Sequence, residues 1–302
     1  MDFLWVYIIL GIALSGSLFF WFWFYIYKKP HDQKKVVTKY FIEQLKQYQA
    51  SDIVKFKKIH LGYTNLSFYI QTKDGQEYQF RVPQNNDLVN RENEKTIIDL
   101  IDNQKDYLYI SQSGIFIKKW TKGRNLNIKD THSSEFWIKL KKEIDHLHSI
   151  KLNDDQKILK MDYSDIKAIR NKKIANLYHQ FLDVINQKDW VISHNDLNYQ
   201  NIIMQKNNEL KFIDFEWTRL NHPTWDIVNF CRESNLKLKN ISKIANIFEI
   251  ENQEFFKIYY LCICLAYQWA KQMPFSFKIL NYRIKALLKI QKTFLYLKKY
   301  GF

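Results

Sequence analysis

Val191-Ile192-Ser193-His194-Asn195-Asp196-Leu197-Asn198-Tyr199-Gln200-Asn201-Ile202-Ile203-Met204, followed by Leu210-Lys211-Phe212-Ile213-Asp214-Phe215-Glu216, is the stretch that decides the fold. Isoleucine-rich runs flank a polar loop, the pattern of short buried strands joined by turns. Asp196 stands five residues before Asn201, and Asp214 closes the next strand, 18 residues beyond Asp196. That set supplies what phosphoryl transfer requires. One carboxylate orients an attacking hydroxyl and accepts its proton, while an amide and a second carboxylate hold magnesium against the phosphates. The bland alternative, acids that merely cap turns, does not call for both motifs in order between apolar strands.

Upstream of this stretch, residues 57–59, 66–72 and 77–82 read as strands, the last two joined by the hairpin dipeptide Asp74-Gly75. Residues 90–102 are patterned as a helix, and residues 107–110 and 114–120 as two more strands. Val37, Tyr40, Phe41, Leu45 and Tyr48 recur at helical spacing, predicting a short amphipathic helix over residues 37–49. From about Ser133 the pattern is mainly helical. The expected fold is therefore α+β and bilobal: a small antiparallel β-sheet lobe over residues 31–120 and a mainly helical lobe over residues 121–302.

No charge interrupts Phe3 to Tyr27, about 25 residues and enough for a helix to cross a hydrocarbon core. Trp21, Trp23, Tyr25 and Tyr27 form an aromatic belt at its far end, and Lys28, Lys29, Lys34, Lys35 and Lys39 follow. Asp2 stands where a cleavable signal would be basic. Residues 1–30 are thus expected to be one transmembrane helix, an uncleaved single-pass anchor in the cell membrane with the rest of the chain cytoplasmic.

Hydrophobic residues make up 46% of the 302, which excludes a disordered chain, and seven glycines with four prolines leave no room for low-complexity linkers. A net charge of +15 favours acidic partners such as nucleotide phosphates or anionic lipid headgroups. The lysines are scattered and no nucleic-acid recognition motif is present, so no nucleic-acid partner is expected. Cys231, Cys262 and Cys264 offer neither a disulfide framework nor zinc spacing and read as buried thiols of a reducing compartment.

The His-x-Asp-x₄-Asn loop resembles the catalytic loop of protein kinases, and Ile213-Asp214-Phe215 their metal-binding segment. With Glu216-Trp217 and Trp225-Asp226-Ile227-Val228-Asn229-Phe230 added, the chain looks like the choline/ethanolamine kinase family, within the aminoglycoside-phosphotransferase-like kinases of protein-kinase-like fold. The resemblance implies Asp196 as catalytic base, Asn201 and Asp214 as ligands of Mg2+, and Asp226 as a brace for the catalytic loop. His60-Leu61-Gly62-Tyr63-Thr64-Asn65 resembles the family's nucleotide loop, which gives Thr64 and Asn65 to the ATP phosphates. Arg81, in Phe80-Arg81-Val82-Pro83, takes the place of a phosphate-gripping cation, and Glu94 that of the glutamate positioning it; a solvated acid at a helix start is the other reading of Glu94.

The segment Lys118-Lys119-Trp120 is similar to the interlobe hinge whose backbone meets the adenine edge. Glu216 and Trp217 resemble the pair lining the choline pocket, Asn198 lies near the acceptor hydroxyl, and Trp225, Tyr267 and Trp269 could complete an aromatic wall. Tyr267 and Trp269 read equally as core packing. The implied activity is transfer of the γ-phosphate of ATP to the hydroxyl of choline, giving phosphocholine. Ethanolamine, an aminoglycoside or another amino-alcohol are the alternative acceptors, and a membrane-anchored, catalytically silent scaffold is the alternative of another class.

Overall fold

The computed structural model describes Ser17 and residues 29–59, 64–84, 89, 91–102, 105–154, 156–164, 166–234 and 236–301. The transmembrane helix expected over residues 1–30 lies outside the described residues, apart from Ser17, Lys29 and Pro30; among the described residues no helix is long and apolar enough to cross a membrane. The chain divides into two compact units. One comprises residues up to Val82 together with Tyr107–Ile110 and Ile115–Trp120, and the other holds Pro83–Asp106, Ser111–Gly114 and Thr121–Phe302.

The first unit is a five-stranded sheet carrying one helix. Strands β1 (Ile53–Ile59), β2 (Asn65–Thr72), β3 (Glu77–Pro83), β4 (Tyr107–Ile110) and β5 (Phe116–Lys119) lie in the order β1-β2-β3-β5-β4. The β2–β3 hairpin turns where the sequence predicts: Gly75 takes φ +80°, and the Thr72 N–H donates to the Gln76 carbonyl at 3.0 Å. Helix α1 spans Lys29–Gln44, earlier at both ends than the predicted 37–49. Pro30 is tolerated in a first turn, and the chain leaves the helix early enough for Tyr48 to donate to Asp74 at 2.8 Å and meet the Tyr78 hydroxyl, also at 2.8 Å. Val37, Phe41 and Leu45, four residues apart, are buried with Phe68, Ile70, Tyr78, Phe80 and Ile117. Strand β1 begins at Ile53, four residues before the predicted start, and its exposed Lys55 and Lys57 suit an edge strand that must not recruit another.

The second unit is mainly helical. It contains α2 (Glu92–Asp102), β6 (Arg124–Asn125), α3 (Ser134–Ser149), α4 (Lys172–Phe181), β7 (Val191–Ser193), β8 (Ile202–Met204), β9 (Leu210–Phe212) and β10 (Arg219–Asn221). Helices α5 (Trp225–Glu233), α6 (Leu238–Ile247), α7 (Asn252–Gln272) and α8 (Phe277–Tyr300) complete it. Strands β6, β8 and β9 form one small sheet and β10 pairs with β7 in another. Helix α2 groups with this unit, because Arg91 forms an ion pair with Glu216 and Asn93 donates to the Thr218 carbonyl at 3.2 Å. Phe230, Phe255, Tyr260, Leu261 and Ile290 are among the side chains wholly removed from water in its core, and the three cysteines are free and buried there.

Candidate active site

Strand β7 delivers the polar loop and helix α5 holds it. The Asp226 carboxylate accepts the backbone N–H of His194 at 2.9 Å and that of Asn195 at 2.8 Å, with His148 Nε2 3.0 Å away. Burial alone would raise the pKa of Asp226, but the hydrogen bond and charge of His148 and the Asn195 N–H hold it below the usual carboxylate value. These bonds fix Asn195 at φ +64°, a left-handed conformation that asparagine tolerates better than most residues, and set the direction in which Asp196 leaves the strand. Asn229, one turn along the same helix, donates to the Leu197 carbonyl at 3.1 Å.

The predicted trio converges. Asn201 Nδ2 donates to both the backbone carbonyl and Oδ2 of Asp196, each at 2.8 Å. The Asn201 carbonyl accepts the Ile213 N–H at 2.9 Å, placing the loop beside the strand end that carries Asp214. His194 closes the triangle. Its Nδ1 faces the Asp196 N–H, its Nε2 lies 3.0 Å from the Ile213 carbonyl, and burial lowers its pKa, so it is a neutral strut. Asp214 itself is left-handed at φ +69°. Asp196 retains partial exposure, yet its pKa is pushed up to about 8, first by loss of water and then by the Glu233 and Asp214 carboxylates.

Among the described residues no group of three or more His, Cys, Asp or Glu side chains could hold a metal ion. Asn201 and Asp214 nonetheless suit Mg2+, which usually takes one or two protein oxygens and fills its shell with phosphate oxygens and water. With its nitrogen on Asp196, the Asn201 amide has its oxygen left for such a cation.

Other predicted residues take different places. Asn198 spends both ends of its amide on the loop, donating to the Asp196 carbonyl at 3.0 Å and accepting the Gln200 N–H at 2.8 Å, so it shapes the turn. Glu216 is buried and paired with Arg91 at 3.0 Å, tying the start of α2 to the segment after Asp214. Trp225 is a core residue, buried with its ring edge-on to Tyr163 at 5.6 Å, and Tyr267 packs against the same core. Trp217 and Trp269 do meet, edge to face at 6.4 Å, and Trp269 continues to Tyr282 at 5.8 Å.

In the first unit, Thr64 is buried and accepts the Asn65 amide at 3.4 Å; residues 60–63 of this motif lie outside the described residues. Arg81 is buried, its guanidinium 4.2 Å over the Phe116 ring, and Lys118 lies 5.5 Å from the Tyr107 ring. Lys119 is exposed, and the Trp120 N–H is engaged by the Glu77 carbonyl at 2.8 Å, which removes that donor from any role toward adenine. Glu94, in the second unit, is buried, which sets aside the solvated reading.

The sequence reading missed Glu233. It follows Asp226 by seven residues and Asn229 by four, so all three share the helix face turned to the catalytic loop, a signal present in the spacing. Arg232 Nη1 lies 2.6 Å from Glu233 Oε1, and the Tyr282 hydroxyl donates to that oxygen at 3.0 Å. Glu233 is thereby fixed close enough to Asp196 to raise its pKa, at the end of the row Trp217, Trp269, Tyr282. Gly123 is a further residue that supports the site. A Cβ there would stand 2.5 Å from the Met204 carbonyl oxygen, so glycine is what lets β6 pair with β8 and bring the Asn125 amide to the Gln200 carbonyl at 2.8 Å.

Comparison with known proteins gives a consistent set. The family model described as choline/ethanolamine kinase matches residues 56–268. An uncharacterized protein of Mycoplasma pneumoniae is 26% identical over 259 residues, 78% of this chain and 84% of that one. Among solved structures, the choline kinase LicA from Streptococcus pneumoniae superposes with a TM-score of 0.68 at 16% identity, covering 86% of this chain and 99% of LicA. An ethanolamine kinase from Plasmodium vivax gives 0.62 at 17% identity, covering 79% and 81%.

Proposed function

The chain belongs to the choline/ethanolamine kinase family, a small-molecule phosphotransferase with a hydroxyl acceptor, and on that footing we propose that it transfers the γ-phosphate of ATP to choline with Mg2+ as the metal. The observation that carries this reading is the pair of bonds from Asn201 to Asp196, together with the Asn201–Ile213 backbone bond that sets Asp214 beside them. In the mechanism Asp196 accepts the hydrogen bond of the acceptor hydroxyl, aims it at the terminal phosphorus and takes its proton as the new P–O bond forms and ADP leaves. Asn201 and Asp214 would hold Mg2+, whose charge offsets that building on the phosphate oxygens. Arg81 and the Thr64/Asn65 turn are assigned to the nucleotide, Arg81 as the bidentate phosphate donor.

Choline is preferred because its quaternary nitrogen offers no N–H and is held by aromatic faces and carboxylate charge. Glu233 beside Tyr282, with Trp269 and Trp217 in line behind it, supplies both. A coupled ADP-release assay over choline, ethanolamine and aminoglycosides tests this, with Asp196→Asn as blank. Choline should give the highest kcat/KM. A dominant response to ethanolamine or an aminoglycoside moves the acceptor, and no acceptor-dependent release above the blank removes the kinase reading. We also propose that the uncharged run from Phe3 to Tyr27 tethers the enzyme to the membrane. Deleting residues 1–29 should release it with unchanged turnover on soluble acceptor.

A further inference from the structure

Helix α8 is apolar on two sides, one more than its own fold uses. Ile279, Ala286, Ile290 and Leu297 are buried on the side that packs against α7. The opposite side exposes Phe277, Leu280, Ile284, Leu288 and Leu295, at steps of three, four, four and seven residues that keep them in one stripe. Phe277 is 85% exposed and Leu295 65%, so the stripe is open to water along nearly the whole helix. Phe275, just before the Ser276 cap and 69% exposed, extends it by one more ring. Isolated apolar residues on a surface need no explanation, but an aligned row does.

Charge decides what covers it. Lys278, Lys285, Lys292 and Lys299 recur every seven residues and are exposed, so they run along one edge of the stripe. Lys298 is exposed as well, whereas Arg283 and Lys289 turn inward onto the backbone carbonyls of Ala270, Met273 and Arg232, and the helix contains no aspartate or glutamate. A second copy laid stripe to stripe would bring two lysine rows together with no acid in either helix to answer them. An anionic lipid surface answers each lysine with a phosphate and accepts the apolar row at the headgroup–acyl boundary, the arrangement of an interfacial helix. We propose that the exposed face of α8 docks on an anionic bilayer surface. This surface is distinct from the N-terminal run and independent of the acceptor assignment.

The three native cysteines are buried, so a polarity-sensitive fluorophore can be placed selectively on Leu288→Cys in the full chain. The labelled protein is incorporated into vesicles of phosphatidylcholine alone or of an equal mixture with phosphatidylglycerol. On the mixed vesicles the probe should brighten, shift to the blue and be quenched by brominated lipid, and high salt should reverse the change. The Lys285→Gln/Lys292→Gln variant, which removes two positive charges, should weaken the interaction by on the order of 25-fold, from roughly five-fold per lysine near such a surface. An unchanged probe on mixed vesicles overturns the proposal, as does an equal response on neutral ones. An equal response from a probe on Lys206→Cys, in the exposed turn between β8 and β9, would reduce it to adsorption. A lipid-free signal that grows with protein concentration would assign the face to a second copy.

Discussion

Asp226→Asn should unfold the catalytic loop's support without touching substrate. One carboxylate oxygen serves the His194 N–H and His148, the other the Asn195 N–H. An asparagine can offer oxygen to only one of these sides, and turns an N–H toward a donor on the other. Losing one charge-assisted bond costs about 1.5–3 kcal/mol, and stranding a buried donor about 1–3 kcal/mol, so the variant should lose about 3–5 kcal/mol. Because Asn195 leads directly into Asp196, kcat should also fall by about 100-fold, the effect of a displacement near 1 Å, while KM for ATP changes little. Urea unfolding reads the first quantity and ADP release the second. His148→Ala, which removes one of the three contacts, should cost about 1–2 kcal/mol and be non-additive with Asp226→Asn. A variant within about 1 kcal/mol of the parent and with unchanged kcat would refute the bracing role assigned to Asp226.

Four further outcomes follow from the geometry. Arg91→Met removes the buried ion pair of the Glu216 carboxylate and should destabilise the fold by about 3–5 kcal/mol, while the double variant Arg91→Met/Glu216→Leu should recover much of that; urea midpoints decide. Burial lowers the pKa of His222 from 6.5 to about 4, so the unfolded chain binds the proton more readily and stability is lost as pH falls from about 6.5 toward 4. The loss is about 3 kcal/mol at most, visible as a drop in thermal midpoint that His222→Gln should flatten. If the proposed acceptor site holds, Glu233→Gln should raise KM for a cationic acceptor by about ten-fold or more and leave KM for ATP unchanged, because it removes a carboxylate assigned to the acceptor and none assigned to the nucleotide. Asn201→Ala should raise the Mg2+ concentration needed for half-maximal ADP release and lower kcat, whereas an unchanged requirement would exclude Asn201 as a ligand.

Much of this was written into local sequence. The spacing of Asp196, Asn201 and Asp214 between isoleucine-rich strands is a short-range property, and so are the Asp74-Gly75 hairpin and the apolar periods of the helices. Each is set by backbone geometry within a few residues, which is why they survive without knowledge of the fold. The family resemblance rested on the same motifs, and Asp226 as a brace came with it. What the sequence left open is what depends on partners far along the chain. Glu216, read as a pocket carboxylate, pairs with Arg91, 125 residues away, a contact that its local sequence does not announce. Trp225 and Trp269 are both tryptophans in helices, and only packing sends one into the core and the other to meet Trp217. Glu233 gained its place beside Asp196 from the helix phase shared with Asp226 and from Tyr282, 49 residues later. Composition and period fix which side chains face inward; which charge meets which is decided only when distant segments close on one another, because desolvation and ion pairing act through space and not along the chain.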